Sequence, residues 1–222
     1  MCDKLAGRVA AITGGTAGIG LAIAEAYLAE GAAVALMARN PDKGAAAVIA
    51  LNARDRAVFI AGDAMVQSDI EGFIDQTIAQ LGKIDILVNN AGGAGDLQPL
   101  VELSDKTFDD TMKWNVYSTF WGTRRALPPM LEQSWGRVIN ISSTEGKIGK
   151  PVFTAYSTAK HAINGMTKSV AQEVGASGVT VNAICPGLVI TDIVKDNGPA
   201  TADAMGISFA EMVDLFAQDA AI

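Results

Sequence analysis

Val9-Ala10-Ala11-Ile12-Thr13-Gly14-Gly15-Thr16-Ala17-Gly18-Ile19-Gly20 is a short apolar run, then a glycine-rich turn, then the start of an alanine- and leucine-rich stretch. The pattern predicts a buried strand leading through a tight turn into a helix. Glycines at such a turn let the backbone approach a pyrophosphate, while the helix N-terminus offers free N–H groups and a positive dipole end. Gly14, Gly18 and Gly20, with Thr16 in the same turn, are therefore candidate dinucleotide-binding residues. A bare strand-to-helix turn is the competing reading. The spacing is Gly-x-x-x-Gly-x-Gly rather than the more common Gly-x-Gly-x-x-Gly.

Downstream, the same alternation repeats. Further strands are expected at 33–37, 58–60, 84–88, 137–141 and 179–184, with helices starting at Ile19, Pro41, Gln67, Ser104 and Thr154. Strands apolar on both faces, each followed by a helix, predict a parallel sheet covered on both sides. No linker, repeat or low-complexity tract divides residues 1–222. The expected fold is a single α/β domain with a doubly wound, Rossmann-like parallel sheet.

Ligands of such sheets gather beyond the carboxyl ends of the strands. Arg39 follows the second strand, where an acid would bind a ribose 2′-hydroxyl; an arginine suits a 2′-phosphate instead. NADP(H) is thus favoured over NAD(H), although an ordinary loop arginine is the plain alternative. Asp63, after the third strand, could accept from an adenine amino group or serve as a turn aspartate.

Tyr156 and Lys160 lie four apart, and i, i+4 positions share a helix face. A tyrosine ordinarily ionises near pH ~10, and a nearby ammonium is expected to lower that value toward the working range. Ser143, after the fifth strand, could donate to the same substrate oxygen. Together they suit moving a proton on and off a carbonyl or alcohol oxygen.

Composition narrows the field. With 222 residues, 50% hydrophobic, 18% charged and a net charge of −7, the chain has a folded profile and no basic run for nucleic acid. One histidine and two cysteines give no metal-ligand cluster, and Cys2 and Cys185 are expected as free thiols. No segment has the ~20 apolar residues of a membrane span, and no signal-peptide core precedes the first strand. A cytoplasmic location is the expectation.

Thr13-Gly-x-x-x-Gly-x-Gly20, Asn89-Asn90-Ala91-Gly92, Asn115, Ser143, Tyr156-x-x-x-Lys160 and Pro186-Gly187 together resemble the short-chain dehydrogenase/reductase family, in its single-domain branch that includes 3-oxoacyl reductases. The resemblance implies hydride transfer between NADP(H) and a carbonyl or secondary alcohol. It makes Tyr156 the acid/base, with Ser143 polarising the oxygen. Lys160 would tune the tyrosine and bind the nicotinamide ribose, and Asn115 would hold water in a relay to Lys160. It further implies cofactor contacts from Ile19, Asn90, Ala91, Gly92, Pro186, Gly187, Val189 and Thr191, and a homo-oligomer, dimer or tetramer.

Members of this branch usually continue past a mobile helix, here expected at 208–218, into a further helix and strand. This chain ends without the closing strand, and the expectation is an incomplete polypeptide, since a bare sheet edge invites aggregation. Residues 93–100, 144–153 and 188–216 should wall the substrate pocket. Glu145, Lys147, Lys150, Phe153 and Met205 are the candidate contacts, and solvated or packing roles are the ordinary alternative. Trp114, Trp121 and Trp135 are expected in the core or at a subunit interface. A catalytically silent dinucleotide-binding sensor or assembly subunit is the rival class. A sugar-nucleotide epimerase would need a different glycine spacing and a larger C-terminal domain.

Overall fold

The computed structural model describes residues 3–219. Six strands form one sheet in the order β3-β2-β1-β4-β5-β6, every neighbouring pair parallel. The strands are β1 (Val9–Thr13), β2 (Ala33–Ala38), β3 (Ala57–Ala61), β4 (Ile86–Asn89), β5 (Gly136–Ile141) and β6 (Val179–Ile184). The chain order reverses between β1 and β4, which makes the crevice beyond their carboxyl ends the place where a ligand would lie.

The central strands grow from apolar runs whose side chains are buried on both faces. All five residues of β1 are buried, and β2 and β4 are nearly as dry. One side of the sheet packs Phe73, Ile74, Leu87, Trp121, Met130 and Val138 into a core shared with α3 (Gln67–Leu81) and α5 (Ser118–Glu132). The other side buries Ile12, Leu36, Ile86 and Val88 beneath α1 (Gly18–Ala29) and α2 (Pro41–Leu51). At the β6 edge of the sheet, Thr180, Asn182 and Ile184 are exposed.

β4 begins two residues later than the apolar run suggested. Asp85 still bonds both neighbouring strands, its N–H donating to the Val9 carbonyl and its carbonyl accepting from the Arg137 N–H, while its carboxylate accepts from the Val9 N–H at 2.9 Å and pairs with Arg8 and Lys83. Between α4 (Asp105–Met112) and α5, a π-helical turn spans Lys113–Tyr117, with the Ser118 N–H donating to the Lys113 carbonyl. α6 (Thr154–Val174) carries Tyr156 and Lys160. The expected helix at 208–218 is α8 (Phe209–Asp219), and α7 (Asp192–Met205), not anticipated from the sequence, precedes it.

Trp121 is buried in the core and Trp114 packs against it, while the guanidinium groups of Arg8 and Arg137 lie 3.5 and 4.4 Å from the centre of the Trp135 ring. Cys185 is a free thiol, and Cys2 lies outside the described residues. No helix among the described residues is long and apolar enough to cross a membrane, and they hold no cluster of metal-ligating side chains.

Candidate active site

The glycine turn after β1 is built for close approach. Gly14 and Gly18 have positive φ, +64° and +52°, values a side chain would resist. A Cβ on Gly20 would stand 2.4 Å from the Gly14 carbonyl and 2.7 Å from Asn90 Nδ2. Ala17 caps α1 without any side-chain hydrogen bond, so the first-turn N–H groups face the turn unclaimed by a cap. These features fit the pyrophosphate of a dinucleotide. Ile19 and Thr16 are half-buried at the turn, and Val189 and Thr191 cross the start of α1, forming with it a groove of about 580 Å³.

Thr13, within the motif but outside the expected contact residues, organises this end of the sheet. Its Oγ1 accepts from the N–H groups of Asn90 and Ala91, each at 3.0 Å. Asn90 Nδ2 donates to the carbonyls of Thr13 and Gly14 at 2.9 and 3.0 Å, so that side chain ties β4 to the turn. Asp63 closes its own turn by accepting from the Met65 N–H at 2.9 Å. Arg39 is exposed just past β2. Pro186 accepts from the Thr144 N–H at 3.0 Å, joining the loop containing Gly187 to the one behind Ser143.

The structure brings Ser143, Tyr156 and Lys160 together. Lys160 Nζ donates to the Ile141 carbonyl at 2.9 Å and lies 5.3 Å from the centre of the Tyr156 ring. Ser143 stands close enough to the Tyr156 phenol to lower its pKa, while its hydroxyl donates to Glu145. Burial lowers Lys160 to about 8. Burial also pushes Tyr156 up to about 12, opposed by Ser143 and assisted by the negative charge of Glu145. The expected depression of the tyrosine is therefore not found in the chain by itself. The lysine is held on the Ile141 carbonyl, and desolvation of a buried phenolate is the leading cause of the rise.

Asn115 is fully buried in the π-helical turn. Its Oδ1 accepts from the Gly93 N–H at 3.2 Å, and its Nδ2 donates to the carbonyls of Gly93 and Thr111, both at 2.9 Å. The side chain is thus spent on clamping backbone. A Cβ on Gly92 would stand 2.5 Å from Asn115 Oδ1 and 3.5 Å from Lys160 Nζ, so both side chains converge on the loop after β4.

Around Tyr156 lies an apolar wall. Phe153, Met212 and Phe216 are buried there with Leu97, Val152, Leu188 and Met205 packed against them. The Phe153 ring is 6.2 Å from Tyr156 and 5.7 Å from Phe216. Val152 holds a left-handed φ of 62°, a strained conformation for a β-branched residue. Lys147 is exposed, but Glu145 and Lys150 are a buried ion pair at 2.7 Å rather than solvated charges. Two opposite charges five apart in a loop carry no periodic signal, which is why the sequence did not reveal the pairing.

A family model for short chain dehydrogenase matches residues 8–202. The D-beta-hydroxybutyrate dehydrogenase of Rhizobium meliloti (strain 1021) is 37% identical over 93% of this chain and 81% of its own length. A 3-oxoacyl-(acyl-carrier-protein) reductase of Haemophilus influenzae is 38% identical over 85% of this chain and 77% of its own. Among solved structures, an actinorhodin polyketide ketoreductase with NADPH superposes with a TM-score of 0.86 at 35% identity, covering 92% of this chain and 79% of that one.

Proposed function

Because the chain belongs to the short-chain dehydrogenase family and is an NAD(P)-dependent oxidoreductase of CH–OH and C=O groups, we propose that it reduces a carbonyl compound with Tyr156 as the proton donor. The observation that carries this reading is the convergence of Ser143, Tyr156 and Lys160 beyond the carboxyl end of β5, beside the glycine turn. A dinucleotide held at the glycine turn would supply the hydride for the carbonyl carbon. As negative charge grows on the oxygen, Ser143 turns its hydroxyl onto it and Tyr156 passes its proton there, giving the alcohol. The Lys160 ammonium, 5.3 Å from the ring centre, would steady the phenolate that remains. A tyrosine held in its neutral form suits this direction, since the acid is loaded at neutral pH.

Gly14, Thr16, Gly18, Ile19 and Gly20 would hold the pyrophosphate, and Asn90, Ala91 and Gly92 would line the floor of the crevice. Asp63 would face the adenine. Pro186, Gly187, Val189 and Thr191 would close over the nicotinamide end. Exposed Arg39, with no acid at the end of β2, supports NADP(H) over NAD(H). Asn115 serves Lys160 by fixing the Gly93 backbone. A homo-oligomer is favoured by exposed Tyr117 and Phe120 at the π-helical turn and α5, and a strictly monomeric species in light scattering would overturn it.

The deciding experiment compares Tyr156→Phe with the parent chain, following NADPH fluorescence for binding and NADPH oxidation by a panel of ketones and 3-oxoacyl thioesters for turnover. Turnover should fall about 10²–10⁴-fold with binding retained. Equal turnover by the variant would exclude Tyr156 as the donor.

A further inference from the structure

Val152 stands in a conformation that its own side chain resists. The Phe153 N–H donates to the Lys150 carbonyl at 3.3 Å, closing a four-residue turn over Pro151 and Val152. Proline suits the second position of such a turn, and a left-handed third position is ordinarily given to glycine or asparagine. Here it falls to a valine, at φ 62°. Two heavy atoms on Cβ make valine one of the residues least suited to that region.

Elsewhere the chain meets left-handed φ at little cost. Gly14, Gly82 and Gly206 take it with no side chain, and the other non-glycine cases among the described residues are Asn52, Arg54 and Ser134. Those three are exposed and unbranched at Cβ. Val152 is half-buried instead, packed against the cluster of Phe153, Ala202, Met212 and Phe216 on which Tyr156 also packs. Strain of this kind persists only where the surroundings enforce it, and it gathers where ligands are held. Glycine would relax the turn. What it would forfeit is the isopropyl group in the wall around Tyr156.

We propose that Val152 is a specificity-determining residue, whose isopropyl group limits the bulk of the substrate arm beside the reacting carbonyl, and that the strained turn is kept to place it there. The inference rests on the reductase reading above. It concerns the size of the arms, and neither the hydride nor the proton. An arm branched next to the carbonyl overpacks the wall at Val152, whereas an unbranched arm passes it.

The test uses two symmetric ketones with NADPH, diethyl ketone and diisopropyl ketone, so that an arm of the same kind faces Val152 in either orientation. Val152→Gly should raise kcat/KM for the branched ketone, relative to the straight one, about tenfold or more over the wild-type ratio. Its melting temperature should hold despite the lost side chain, because the turn relaxes. Val152→Leu, unbranched at Cβ but longer, should push the ratio below that of the wild type. A ratio unmoved in both variants overturns the proposal, and a lower melting temperature of Val152→Gly beside it would leave Val152 a prop of the wall. Two variants of opposite sign keep the test decisive if one fails to fold, as NADPH binding would reveal. The thermal upshift that each ketone gives with NADP+ reads the same size preference without turnover. If that preference follows the variants while neither ketone is reduced, the reductase reading fails and the size limit at Val152 stands.

Discussion

Lys160 presses its ammonium against the main-chain carbonyl of Ile141, 2.9 Å away, with only 4% of the residue exposed. Burial of that charge works against folding at neutral pH, because the lysine falls from 10.5 to about 8 when the chain folds. Between those two values the unfolded chain binds the extra proton, so wild-type stability should rise with pH from about 8 to about 10.5. Lys160→Met should remove that rise. It should also make the protein more stable at pH ~7 by about 1–2 kcal/mol, after allowing for the lost hydrogen bond to Ile141. Urea denaturation at several pH values checks both, and a less stable variant with an unchanged pH slope would exclude the explanation.

Tyr156 gives the opposite asymmetry in turnover. Its neutral form is favoured by burial up to about 12, so reduction finds its acid loaded across the neutral range. Alcohol oxidation needs the phenolate, whose fraction grows about tenfold per pH unit below the pKa. Oxidation rates should therefore climb steeply from pH ~7 to ~9 while reduction stays level or declines. Initial-rate profiles in both directions with one ketone–alcohol pair would show it, and parallel profiles would contradict it.

Gly20→Ala should weaken NADPH binding about 100-fold or more, because the new Cβ would meet the Gly14 carbonyl at 2.4 Å and distort the turn. Gly165→Ala on α6 is the matched control, with nothing within 4 Å of its Cβ. It should leave binding alone and add about 0.5–1 kcal/mol of stability. Fluorescence titration and thermal unfolding of the two variants make the comparison, and equal binding by both would show that the turn has room.

Asn140→Ala should cost about 2–4 kcal/mol, out of proportion to the atoms removed. Asn89 Nδ2 donates to Asn140 Oδ1 at 2.8 Å and to Thr123 Oγ1 at 3.0 Å, and Asn140 Nδ2 donates to Thr167 Oγ1 at 2.9 Å. The chain of contacts pins β4 and β5 to α5 and α6 in a dry interior. Denaturant unfolding measures the loss, and a cost below about 1 kcal/mol would mean that water or a neighbour replaces the missing partner.

What could be read from the sequence was whatever has a period or a fixed spacing. The apolar runs from Val9, Ala33 and Val179 became strands, and Tyr156 and Lys160 fell on one face of α6, because helix and strand geometry leave no other choice. α7 escaped notice because Asn197-Gly198-Pro199 reads as a break. In the fold Pro199 sits inside the helix, and the missing side chain at Gly198 lets the Phe209 ring of α8 lie where a Cβ would be only 2.3 Å away. Glu145 and Lys150 were named among the candidate contacts, but their pairing was hidden for a different reason. Their partnership depends on how a loop folds back, and on the Phe216 ring arriving from 66 positions further along the chain.

The wide turn at Lys113–Tyr117 takes up one residue more than ordinary winding would. An α-helix advances about 100° per residue. Because the surplus residue is absorbed in the turn, Trp121 and Ala126 keep their place against the sheet while Phe120 stays exposed. Losing one residue there would let the turn tighten to ordinary winding and leave the phase of α5 as it is. The same loss within α5 would swing everything beyond it by about a quarter of a circle and carry its buried face off the sheet.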